Sequence, residues 1–89
     1  MARVQMDALQ KHEAAAQSGQ SEALYNLGLV YATGKGVDVD LITAHKWFNL
    51  AAMRGSHAAR DIRTEIAQDM SPTEIAEAQR QAREWLSQH

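Results

Sequence analysis

The stretch Ala15-Ala16-Gln17-Ser18-Gly19 returns as Ala51-Ala52-Met53-Arg54-Gly55, displaced by 36 residues. Two further alanine pairs keep the same offset, Ala23 with Ala59 and Ala8 with Ala44. Self-similarity at a fixed period of roughly 20–50 residues marks a chain assembled from stacked supersecondary units. A period near 36 residues holds two helices and a turn, so the repeat points to an all-α, solenoid-like architecture.

The local pattern agrees. Five helical stretches are visible, and no segment alternates convincingly enough to be a strand. Val4, Ala8, Leu9, Ala15 and Ala16 fall at helical spacing in the first stretch, which Ser18-Gly19 closes. Ser21 is the expected N-cap of the second, which runs apolar almost all round through Glu22-Ala23-Leu24-Tyr25-Asn26-Leu27-Gly28-Leu29-Val30-Tyr31. Asp40 is expected to cap a third helix reaching about Arg54, with the stripe Leu41, Ala44, Trp47, Phe48, Ala51 and Ala52. Ser56 can cap a fourth, whose apolar positions are Ala59, Ile62, Ile66 and Met70. Ser71-Pro72-Thr73-Glu74 is the clearest start in the chain. Serine caps, proline fills the first turn where its missing N–H costs nothing, and glutamate completes a capping box. The line Ile75, Ala78, Ala82, Trp85 and Leu86 follows.

Ala32-Thr33-Gly34-Lys35-Gly36-Val37-Asp38-Val39-Asp40 raises the question of phosphate binding. A phosphate loop joins a strand to a helix and ends in Gly-Lys-Ser/Thr. Here a helix precedes the turn, glycine follows Lys35, and position 39 is valine, so Gly-x-Gly-x-x-Gly is not met either. The turn reads instead as a corner. Gly34 and Gly36 supply unusual φ values, Val37 tucks against the helix pair, and Lys35 is solvated.

Size and charge narrow the function. The 89 residues make one small domain, and 45% apolar residues suffice for a folded core. Nine basic against eleven acidic residues give a formal charge of −2, and nothing in that balance favours nucleic acid. There is no cysteine, which removes disulfides, thiolate metal sites and cysteine nucleophiles. No run approaches the roughly 18 apolar residues a membrane span needs, and the first residues lack a signal-peptide core. The default compartment is the cytoplasm, with periplasm and secretion left open. His12, His45, His57 and His89 show no paired metal-ligand spacing and are expected at the surface. No serine or threonine sits in a nucleophile elbow. Trp47, Phe48, Tyr25 and Tyr31 fall at helical spacing and are read as packing residues, while Trp85, near the end, could instead cover a partner.

Residues 15–55 resemble a Sel1-like repeat, a relative of the tetratricopeptide repeat. The resemblance is carried by Ala15, Ala16, Gly19, Ala23, Leu27, Gly28, Tyr31, Gly34, Gly36, Val37, Asp40, Ala44, Trp47, Ala51, Ala52 and Gly55. Outside that stretch the pattern decays. Arg63 and Thr64 stand where Leu27 and Gly28 would recur, and Ser71-Pro72 replaces the Gly-x-Gly-Val turn. The expected organisation is a single domain over 1–89, one full repeat at 15–55, and degenerate capping helices over 3–18 and 57–87. The resemblance implies a short right-handed superhelix of about five helices and a non-catalytic adaptor, scaffold or regulator that binds another protein or peptide, without cofactor or metal. Sel1-like repeats occur in bacterial and eukaryotic signalling and envelope proteins. The first helix of each pair then lines a groove, which assigns Glu22, Tyr25, Asn26 and Leu29, with Asp61 and Glu65 at the repeat offset, to partner contact. Acidic rims of this kind suit a partner with apolar anchors and basic residues. The competing reading buries Tyr25 and Leu29 under neighbouring helices. Because solenoids usually need about three repeats, a homodimer that completes the core, or a module that only self-associates, is the alternative. A small hydrolase linked to β-lactam binding is the more distant one.

Overall fold

The computed structural model describes residues 2–89, with side-chain surroundings from Ala8 onward. Val4, assigned above to the first apolar face, lies outside the residues whose side chains are described. The described residues form five helices and no strand: α1 (Ala2–Ala16), α2 (Ser21–Thr33), α3 (Leu41–Met53), α4 (His57–Ala67) and α5 (Pro72–Gln88).

Most of the helix starts are written in side chains. Asp40, in extended conformation, accepts hydrogen bonds from the Thr43 N–H at 3.1 Å and the Thr43 hydroxyl at 2.7 Å. Ser56 accepts from Ala59 N–H at 3.1 Å. At α5 the reciprocal bonds of the capping box are both present, Glu74 N–H to Ser71 Oγ at 3.1 Å and Ser71 N–H to Glu74 Oε1 at 2.8 Å. These bonds satisfy donors that a helix start would otherwise leave orphaned. Ser21 departs from expectation. It is the first residue of α2, and Gln20 occupies the cap position without a side-chain bond. The preceding turn is held by Ser18 instead, whose hydroxyl donates to Ala15 C=O at 2.6 Å and accepts from Gln20 N–H at 3.3 Å.

At the corner after α2, Gly34 takes φ +72° and Gly36 φ +86°, both in the left-handed region that L side chains rarely adopt. Backbone bonds from Gly34 N–H and Lys35 N–H to Val30 C=O close α2, and Asp40 N–H returns to Tyr31 C=O at 3.0 Å. The corner is thus tied to α2 at one end and to α3 at the other.

Helix α3 is the centre of the fold. It packs against α2, α4 and α5, while α1 packs on α2. Ala44, His45, Trp47, Phe48, Leu50 and Ala51 are all buried along it, so it is covered on nearly every side. Phe48, Leu24, Leu27 and Leu50 are the largest fully buried side chains. Gly28 makes the α2–α3 approach possible, because a Cβ there would stand 2.6 Å from the Phe48 ring.

The last two helices break the repeat. In a regular solenoid α5 would pair with α4 as α3 pairs with α2. Here α5 lies on α3, and its contact with α4 is slight by comparison. Trp85 is buried and meets Trp47 edge-on, with ring centroids 6.1 Å apart, a favoured aromatic geometry. Trp85 therefore closes the domain's own core rather than standing open for a partner. The Trp85 ring also stacks on the His89 ring at 3.9 Å, and His89 in turn hydrogen-bonds Gln17 at the end of α1. A second long-range tie joins the two ends of the repeat, Arg54 Nη1 donating to Gly19 C=O at 3.2 Å.

His45 is also a correction. Expected at the surface, it is 4% exposed, and its Nδ1 has no hydrogen-bond partner. Burial first, and the nearby Arg63 charge second, push its pKa below the usual histidine value.

Candidate partner-binding surface

Helix α2 turns different faces toward α1, α3 and the outside. Leu24, Leu27, Gly28 and Val30 are its buried residues. Ala23, one of the residues that carry the resemblance, is only half-buried, and Leu24, which is not among them, has no exposed surface. Counting from Glu22 by helical steps gives Asn26, Leu29 and Thr33, one stripe along the helix.

That stripe supplies the wall of an open cleft of about 300 Å³. Asn26, Leu29, Val30 and Thr33 line it from α2, His12 from α1, and Lys35 from the corner. Asn26 and Leu29 are half-buried, neither sealed in the core nor fully solvated. Thr33 spends its hydroxyl on Leu29 C=O at 2.7 Å, which leaves Asn26, His12 and Lys35 as the polar groups facing the opening. The floor is aliphatic. Such a surface can hold an apolar side chain and orient it by a few polar contacts.

The six residues assigned to partner contact are divided by the fold. Asn26 and Leu29 come together in this cleft. Glu22 is exposed on the first turn of the same helix. Tyr25 sits one face away, half-buried, its ring 5.7 Å from Phe48 and tilted by 50°. Asp61 and Glu65 are exposed on α4 and line no part of the cleft. Residues that sequence spacing did not associate with Asn26 are His12 and Lys35. No periodicity within α2 could reveal them, because they arrive through the crossing of α1 and the return of the corner.

The remaining motif residues shape the frame. Leu27, Gly28, Ala44, Trp47 and Ala51 are buried; Ala52, Val37 and Gly34 are half-buried; Gly36, Asp40 and Gly55 are exposed. Tyr31 is at the core's edge rather than inside it. Burial, then the negative charges of Glu13 and Asp40, raise its phenol pKa above the usual value. Among the described residues no group of three or more His, Cys, Asp or Glu is placed to hold a metal ion. No described helix is long and apolar enough to cross a membrane.

Residues 21–56 match the model of the Sel1 repeat family. That span runs from the first residue of α2 to the cap of α4, the part of the fold that holds the close α2–α3 pair. The chain is also similar to the alginate biosynthesis protein AlgK of Azotobacter vinelandii, at 33% identity over 60 residues. The matched stretch covers 67% of this chain and 13% of the relative, so the chain spans a small part of that protein's length. No solved structure matches the chain.

Proposed function

This chain is a Sel1-like repeat protein, and on that premise we propose that it is a non-catalytic module that holds a partner protein or peptide against the outer face of α2. Sel1 repeats mediate protein–protein interaction, and the family is generally non-catalytic. The observation that carries the reading is the cleft at Asn26 and Leu29, where an aliphatic floor and three free polar groups remain open beside a closely packed helix pair. Glu22 extends the same stripe toward the start of α2, while the half-buried Tyr25 lies one face away against Phe48. Asp61 and Glu65 form a separate acidic edge on α4 that a longer partner reaches after filling the cleft.

Binding of this kind uses surface complementarity alone. An aliphatic anchor from the partner displaces water over Leu29 and Val30, and the Asn26 amide fixes its orientation. The test is Asn26→Lys combined with Leu29→Lys, both half-buried positions that a lysine can occupy by reaching into solvent. A partner recovered with the wild-type chain from its native cells is lost by this variant, while an Arg83→Glu control on the exposed side of α5 retains it. Equal recovery by all three proteins, with melting temperatures unchanged, refutes the assignment.

A further inference from the structure

A second cleft, of about 510 Å³, opens where the α2–α3 corner faces the start of α5. Val37, Val39, Leu41 and Ile42 give it aliphatic surface, and Tyr31 closes one side. Three carboxylates border it, Asp38, Asp40 and Glu74, and no lysine or arginine lines it. Val39 is 59% exposed, one of two large apolar side chains left open among the described residues. It belongs to no helix and cannot be drawn inward. One of its methyls rests on Gly34, where a Cβ would stand 2.8 Å away, and the backbone on its far side is bonded to Tyr31.

We propose that this cleft docks an extended segment of a partner protein that presents an aliphatic side chain flanked by lysine or arginine. Charge complementarity selects the occupant. Three carboxylates around an apolar patch, with no cation among its lining residues, leave a negative potential that basic side chains neutralise. Burial first, then the charges of Glu13 and Asp40, raise the Tyr31 phenol pKa, and the Asp40 share accords with that field. A shared metal ion is not the occupant, because the carboxylates do not converge to a metal-binding geometry. The segment from 37 to 40 is also set in place before binding, by the Asp40 N–H bond to Tyr31 and by the Asp40 cap on Thr43, so little ordering is required of it. This surface is separate from the cleft at Asn26, and neither assignment depends on the other.

The test is a ¹⁵N-NMR titration of the full chain with two blocked pentapeptides, Lys-Leu-Lys-Val-Lys and Glu-Leu-Glu-Val-Glu. The basic peptide is expected to shift the amides of Tyr31, Val37 to Ile42 and Glu74, and its affinity to fall as salt screens the charges. The acidic peptide leaves those amides unmoved. Asp38→Asn with Val39→Ser weakens the basic peptide about tenfold, and Asp38→Lys, which leaves every capping bond in place, weakens it further and narrows the gap between the two peptides. Shifts that centre on Asn26 and Leu29, equal response to both peptides, or unchanged affinity in both variants overturn the proposal. So does a concentration-dependent dimer that the same variants abolish, since a second copy would then be the occupant.

Discussion

Replacing Gly28 by alanine sets two effects of opposite sign against each other. Gly28 lies in the middle of α2 with an ordinary helical backbone, so alanine there gains about 1 kcal/mol of helix propensity. The added methyl, however, would stand 2.6 Å from both Phe48 Cδ1 and Cε1 and 3.0 Å from Cζ. Carbon atoms in contact prefer about 3.5–4.0 Å, so the helices or the ring must give by about 1 Å. Phe48 has no exposed surface, and the Tyr25 ring lies against it at 5.7 Å, which leaves the ring no free space to enter. Overpacking of this kind costs about 1–3 kcal/mol, and the severity of the contact places Gly28→Ala at the upper end. The net effect is a loss of about 1–2 kcal/mol, which for a domain of this size lowers the melting temperature by about 5–15 °C. Thermal circular dichroism and urea midpoints measure it. Combining Gly28→Ala with Phe48→Leu supplies the control: the shorter side chain makes room for the methyl, and the double variant is less destabilised than the two single losses added together. A Gly28→Ala protein that melts at or above the wild-type temperature would show that α2 and α3 do not approach as closely as described.

Other consequences are measurable on the same protein. Asp40→Ala removes both bonds to Thr43 and should cost about 1 kcal/mol, read as a lower urea midpoint with an unchanged slope. His45 is held neutral by burial, so the unfolded chain binds the extra proton first. Stability from this group is full above the ordinary histidine pKa and falls as the pH drops through that value, and His45→Gln flattens the urea-midpoint profile between pH 7.5 and 5. Glu77 on exposed α5 has its carboxyl lowered to about 2, first by the hydrogen bonds from Arg80 and then by that from Gln81. Its contribution is present above the ordinary glutamate pKa and disappears as the pH falls toward 2, and in Arg80→Ala an NMR titration finds the carboxyl back near the ordinary range.

Local chemistry explains why so much of the frame can be read from residues alone. Asp40, Ser56 and Ser71 end up where cap residues belong, because a cap is decided by the few bonds around it. The repeat of alanines and glycines marks the turns that close α1 and α3, where Gly19 and Gly55 take positive φ. What escaped is tertiary. Nothing within α5 announces that it will leave α4 and lie across α3, because Trp85 would be apolar surface on either partner. His45 escaped for a related reason: a helix contacted by three others buries a position that amphipathic spacing assigns to solvent. At the candidate surface, Asn26 and Leu29 were legible from the period of α2. Their companions His12 and Lys35 were not, and the acidic pair Asp61 and Glu65, placed beside them by the repeat offset, stands apart on α4.

Site-specific photocrosslinking tests the central claim, that the outer face of α2 holds a partner. A photoreactive side chain placed at Asn26, and separately at Arg83 as a control, is irradiated in the native cells. The account predicts a discrete protein adduct from position 26 and none from position 83. Adducts from position 83 alone, or from neither position, would contradict it.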